Sequence, residues 1–366
     1  MRKISALLAA TTALLASAAT AESVHVVYGA YGSPSSTNVK HGIMPFIAEA
    51  ERLTEGSLTF ELHPGGSLVG SSTALSGVRD SLVDAAQVSS IYFPSELPQL
   101  NVAIDLSPGI SADTRAVAAA ATELNLLGCP GCKAEIEEWN IQYLGGYGVS
   151  SFSLLCAKPV QTLEDLKGLR VRAAGSFSDL ATALGMTPVN TTITEVYEGL
   201  QRGQLDCTMG SPGWMDSFSI RDVATNILML ETGTAFGGPM LDVSLDIWGQ
   251  LDDDQKDALK RAAALGTASA AAGYEAADEE VLASAEEDGL TIFQPGEDIL
   301  AVLEQFRADR SAKVVADAER RGIPDAKETV DTFMSLLEKW NAIVEETGDD
   351  TEALADAMYQ EIYSKM

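Results

Sequence analysis

The stretch Leu163-Glu164-Asp165-Leu166-Lys167-Gly168-Leu169-Arg170-Val171-Arg172 decides the reading of this chain. Leu163 to Lys167 reads as one short helical turn, Gly168 stops it, and Leu169 to Arg172 reads as a strand. Arg170 and Arg172 lie two apart on that strand, so they share one face, with Val171 on the other. Downstream, Phe177 to Leu184 reads as a helix stopped by Gly185, and Thr187-Pro188-Val189 as extended chain. Thr192-Ile193-Thr194-Glu195 is a T-x-x-E capping box that opens a helix to Gln201, Gly203 ends it, and Leu205 to Met209 is a strand. Upstream, Val24 to Tyr28 and Leu58 to Leu62 read as strands, with helices at Ile43 to Leu53 and Leu75 to Leu82 and a short strand near Ala85 to Ser89. The repeated alternation of strand and helix predicts an α/β fold with mainly parallel strands. An Ala-rich helix is expected at about 113–127, and strands at 141–144 and 151–155. From Asp252 onward the pattern is helical, ending in a long helix traced by Val330, Phe333, Leu337, Trp340 and Val344.

Composition bounds the function. The 366 residues suit about two domains. Lys and Arg number 24 against 53 Asp and Glu, a net charge of −29, which would repel nucleic acid and anionic membranes. Three histidines, His25, His41 and His63, have no ligand-like spacing, so no metal site is expected, and no motif calls for a cofactor. Met1-Arg2-Lys3, the apolar run from Ile4 to about Ala16, and Ala19-Thr20-Ala21 before Glu22 read as a cleaved secretory signal over residues 1–21. The mature chain is then soluble and exported.

Four cysteines fit an oxidising compartment and permit three pairings. The favoured pairing joins Cys129 to Cys132 within Cys-Pro-Gly-Cys, and Cys156 to Cys207 between two strand ends. The rival reading makes Cys129 and Cys132 the redox centre of a secreted thiol-disulfide oxidoreductase. The Gly-Gly pairs at 65–66, 145–146 and 237–238 read as turns, since none opens a helix as a phosphate loop does. No catalytic constellation emerges, and the chain is not expected to be an enzyme. In so acidic a protein the scarce cations carry more information. A small anion would need a fixed guanidinium, whose planar fork pairs both oxygens of a carboxylate.

The run from Leu163 to Arg172, then Leu184-Gly185-Met186-Thr187-Pro188-Val189, then Glu195 to Asp206, resembles the signature of TRAP transporter solute-binding proteins. Gly56 to Gly70, and Ile247-Trp248 with Leu251 to Lys256, resemble it as well. The resemblance implies a two-domain periplasmic binding protein fold, with a ligand cleft between the lobes and a long bridging helix in the C-terminal part. It places residues 22–154 plus about 242–290 in lobe I, and 155–241 plus about 291–366 in lobe II. It implies a periplasmic monomer that captures a small organic acid and docks on membrane permease subunits. An ABC-type or sensory binding protein of similar architecture is the rival.

The family's carboxylate-clamping Arg ends the LKGLRVR strand, which here is Arg172. The strand before that motif carries no second Arg, and Gly210-Ser211 stand where relatives often have Asn. A monocarboxylate with an apolar or aromatic body is therefore expected over a C4-dicarboxylate. The expected ligand contacts are Arg172, Trp214, Tyr92, Ser211, Ser90, Tyr31, Phe236 and Ser151. Tyr28 and Phe152, on strands, are expected to be ordinary packing.

Overall fold

The computed structural model describes residues 23–366, and the signal reading lies outside them. The strands are β1 (Val24–Gly29), β2 (Leu58–His63), β3 (Ala85–Ala86), β4 (Ile141–Val149), β5 (Ser153–Cys156), β6 (Arg170–Arg172), β7 (Thr187–Val189), β8 (Cys207–Gly210), β9 (Asn226–Leu228), β10 (Ala235–Ser244) and β11 (Thr291–Phe293). They form a parallel sheet in the order β2-β1-β3, an antiparallel pair β10-β4, and a six-stranded sheet in the order β11-β9-β5-β8-β6-β7. The pair extends the first sheet. The Ala86 amide donates to Asp242 of β10 (3.0 Å), and the Val88 amide to the Pro239 carbonyl (2.7 Å). This is a two-lobed α/β molecule, with one lobe around each sheet system.

Local chemistry explains the elements near the quoted stretch. Thr162 caps the helix Leu163–Leu166, with Asp165 returning a bond to the Thr162 amide at 2.9 Å. Gly168 then turns the chain with φ +70, a conformation that would strain any other residue. The Thr192–Glu195 capping box forms as expected. Asp252 caps the 32-residue helix Asp253–Ser284, about 48 Å long at 1.5 Å per residue. That helix packs along the first lobe, on Met44–Leu53 and β4. Near its carboxyl end Asp278 reaches the loop after β8, accepting from the Gly213 amide at 2.7 Å, so the helix touches both lobes.

Three features differ from the sequence reading. β10 was not expected, because Gly237-Gly238-Pro239 suggests a turn. In the structure these residues lie inside a strand, at a shift in register between Gly237 and Leu241. Close approach is the reason: a Cβ on Gly237 would sit 2.2 Å from the Tyr147 ring, and one on Gly146 would sit 2.9 Å from the Gly237 carbonyl oxygen. Gly145-Gly146 is likewise part of a strand, β4. Second, β9 and β11 complete the large sheet, and each is only three residues long. Third, helices Ala326–Thr347 and Thr351–Glu361 pack on Thr114–Glu123 and on the 32-residue helix, not against the six-stranded sheet. Their apolar faces match the first lobe, where Trp340 is fully buried and donates to Glu123 at 2.7 Å.

Both favoured disulfides are present, Cys129–Cys132 and Cys156–Cys207. Cys156 and Cys207 are register partners on β5 and β8. Cys129 and Cys132 are both buried. A redox centre needs an accessible sulfur, so this burial argues for a structural clip.

Candidate functional site

β6 runs parallel to β7 and β8, and its carboxyl end opens on the crevice between the lobes. In open α/β sheets this is where ligands bind. The two arginines of the strand share a face but not a fate. Arg170, at the start, lies at the surface and pairs with Asp206 through two bonds of 3.0 and 2.9 Å. Arg172, at the end, is 2% exposed. Its Nε donates to the Thr191 carbonyl and its Nη2 to the Tyr92 hydroxyl, both at 3.1 Å. Its Cζ lies 5.7 Å from the centre of a Trp214 ring. No carboxylate among the described residues comes within ion-pair distance of it. The comparison with Arg310 is direct. That guanidinium is 4% exposed, yet it pairs with Asp179 at 3.0 Å and donates to the Asp105 carbonyl.

A cavity surrounds Arg172, and its walls are aromatic: Tyr31, Tyr92, Tyr147, Phe152, Phe177, Trp214, Phe218, Phe236 and Tyr274. Arg172 is the one charged residue among its lining residues. The walls brace one another. Phe152 lies 4.7 Å from Phe177 and 5.1 Å from Trp214 between ring centres, and Phe236 stacks on Phe333 at 5.0 Å. Burial pushes the Tyr147 hydroxyl up to about 12 and raises those of Tyr31 and Tyr274, so these groups are neutral near pH 7. Tyr92 accepts from both Arg172 and the Ile193 amide (3.1 Å), which leaves its own proton to donate.

Trp214 is held in place from behind. Asp278 accepts from Gly213 and from the hydroxyls of Ser211 and Ser150, and burial raises its carboxyl above the usual range. Gly210 makes room: a Cβ there would lie 2.1 Å from Trp214 Cε3. The glycine and serine that stand in place of Asn therefore serve the indole.

Of the expected contacts, Arg172, Trp214, Tyr92, Tyr31 and Phe236 meet at this cavity. Ser211, Ser90 and Ser151 do not line it. Ser211 points to Asp278. Ser90 packs under Gly238 of β10, and Ser151 accepts from the Gly233 amide at 3.2 Å. Ser151 thus serves the backbone of a crossing segment and Ser211 a carboxylate of the long helix, while Ser90 Oγ is buried with no hydrogen-bond partner among the described residues. Tyr28 is core, donating to the Met240 carbonyl, but Phe152 lines the cavity although its place beside a strand suggested packing. Sequence reasoning missed Asn38, Ser107, Phe177 and Tyr274, all on the lining. Only Tyr274 had a readable signal, an aromatic residue set among alanines on a long helix.

The family model described as "Bacterial extracellular solute-binding protein, family 7" matches residues 29–316. A curated solute-binding protein of Albidiferax ferrireducens is 28% identical over 224 residues, which span 58% of this chain and 62% of that protein. The aligned part thus covers less than two thirds of that relative. A monocarboxylate 2-oxoacid-binding periplasmic protein of a Nostoc species is 21% identical over 84% of this chain and 81% of its own length. Among solved structures, a TRAP solute-binding protein of Rhodoferax ferrireducens, in complex with copurified benzoate, matches with a TM-score of 0.77 at 17% identity, covering 88% of this chain and 100% of its own. One of Bordetella bronchiseptica with bound mandelate gives 0.72 at 21% identity, over 86% and 99%.

Proposed function

This chain belongs to the bacterial extracellular solute-binding proteins of family 7, the TRAP type, and we propose that it captures a small monocarboxylate with an aromatic body. The carrying observation is Arg172, a buried guanidinium with no acid beside it. A buried charge without a counter-ion is costly, and an arriving carboxylate relieves that cost. The lining offers a second carboxylate no other cation, which disfavours a dicarboxylate. Nine aromatic side chains suit a flat apolar body. Structurally similar proteins bind benzoate and mandelate, which agrees with this reading.

The capture mechanism follows from the two-sided site. The carboxylate enters between open lobes and meets Arg172 at the end of β6. Tyr31 and Tyr92, beyond the ends of β1 and β3, close over it from the other lobe. Closure is driven by the ligand's better contacts with the closed form. We divide the lobes by packing: β5 to β9 and β11 form the second, and the remaining strands with the helices from 326 onward form the first. The protein would act as a periplasmic monomer, after removal of residues 1–21, and hand its cargo to TRAP membrane permease subunits.

A thermal-shift screen tests the class. Benzoate, mandelate, pyruvate, succinate and glucose are each added to the purified protein. A ligand present at one hundred times its dissociation constant stabilises by about 2.7 kcal/mol. The aromatic monocarboxylates should raise Tm. A shift with succinate but not with benzoate or mandelate overturns the reading.

A further inference from the structure

The aromatic walls and Arg172 account for a carboxylate on a ring, but not for Asn38. This residue opens the helical turn after the loop that follows β1. It is 5% exposed and lines the cavity. Its Oδ1 is buried and has no hydrogen-bond partner among the described residues. Ser107 Oγ, on the same lining, is in the same condition. A native fold rarely keeps buried polar atoms unpaired, and an unpaired polar side chain facing a ligand cavity is a group reserved for the ligand.

We propose that Asn38 is a specificity-determining residue that selects acids carrying a hydroxyl on the ring. This deepens the carboxylate reading above and rests on it. A hydroxyl both donates and accepts, so it satisfies the Asn38 amide whichever end faces it. A ring without that group buries the amide and leaves it unpaired, and sites built to bond a substrate hydroxyl reject analogues that lack it. Arg172 sets where the carboxylate lies and Asn38 sets which ring position is read. One isomer of a hydroxylated acid should therefore stand out from the others.

Calorimetry with benzoate and its 2-, 3- and 4-hydroxy isomers tests this on the wild-type protein and on Asn38→Leu. The wild type should bind one hydroxy isomer roughly 10-fold to 100-fold more tightly than benzoate. Asn38→Leu should abolish that preference, so that the isomer the wild type favours binds no more tightly than benzoate. Equal affinity of the wild type for benzoate and all three isomers overturns the inference without needing any variant. So does an Asn38→Leu protein that weakens benzoate and the preferred isomer by the same factor, which marks a structural role. If the wild type binds none of the four acids, the aromatic-acid reading fails and takes the inference with it. If Arg172→Met still binds them with the hydroxyl preference intact, the carboxylate clamp fails while the role of Asn38 stands.

Discussion

Replacing Arg172 with Met keeps an unbranched side chain of useful length and removes the charge. A guanidinium has five N–H donors. Two are committed here, to Thr191 and to Tyr92, which leaves three for a ligand. Removing one partner of a buried, hydrogen-bonded charge pair typically costs about 3–5 kcal/mol. At 1.4 kcal/mol per decade, the dissociation constant should rise by about two to three and a half orders of magnitude. Stability should not fall in step. Arg172 is 2% exposed with no acid beside it, so the unliganded fold gains little from its charge. Apolar replacement of buried ionic groups is often neutral or stabilising by about 1–4 kcal/mol. Calorimetry with benzoate and urea unfolding without ligand measure the two effects separately. A loss of less than about tenfold in affinity refutes the clamp, because surface ion pairs of about 0–1 kcal/mol would account for it. A loss of several kcal/mol in unliganded stability refutes it differently, by making Arg172 a structural strut.

Two further predictions concern the scaffold. Burial pushes the Asp242 carboxyl up to about 8, against a single bond from the Ala86 amide. The folded state then holds a proton that the unfolded state releases near pH 4. Stability from this group is full at low pH and is lost as pH rises toward 8, by about 4 kcal/mol between pH 5 and pH 8. Asp242→Asn keeps the acceptor and should remove that slope, so urea unfolding at several pH values would show the wild type falling relative to the variant; parallel curves count against it. The Cys156–Cys207 bridge spans 51 residues and Cys129–Cys132 spans three. Loop-closure entropy assigns about 4 kcal/mol to the first and about 2 kcal/mol to the second. The double serine variant at 156 and 207 should therefore unfold at lower urea than the one at 129 and 132, and the reverse order contradicts the assignment.

How much of this was legible in the sequence depends on the range of the forces involved. The capping box at Thr192, the stop at Gly168 and the strand ending at Arg172 are set by neighbours within a few residues, and they formed as read; the box at Thr162 is equally local but was not read. β10 was hidden because Gly237 and Gly238 answer to Tyr147 and Ser90, far away in the chain, rather than to a local turn. The three serines lie off the cavity lining for a related reason. Ser151 and Ser211 lie in segments that cross between elements and have backbone groups and carboxylates of their own to satisfy, and Ser90 is packed under Gly238. A segment's nearness to the crevice does not say which way a short side chain turns. That the helices after 326 pack on Thr114–Glu123 and the 32-residue helix was hidden because an amphipathic face states that it must be covered but not by what.

Of the five residues that the sequence reading put at the cavity, Arg172 is the one marked by its charge rather than by the orientation of its side chain. In a chain with 53 acids and 24 bases, almost any arginine finds a carboxylate, as Arg170 and Arg310 do. The structure adds that Arg172 does not. Burying it without an acid is a deficit that folding alone would not maintain, and a ligand with the missing charge makes it good. The same reasoning, at the smaller cost of an unpaired neutral amide, picks out Asn38, which no spacing or motif could have marked. Its meaning appears only when the two lobes are brought together around it.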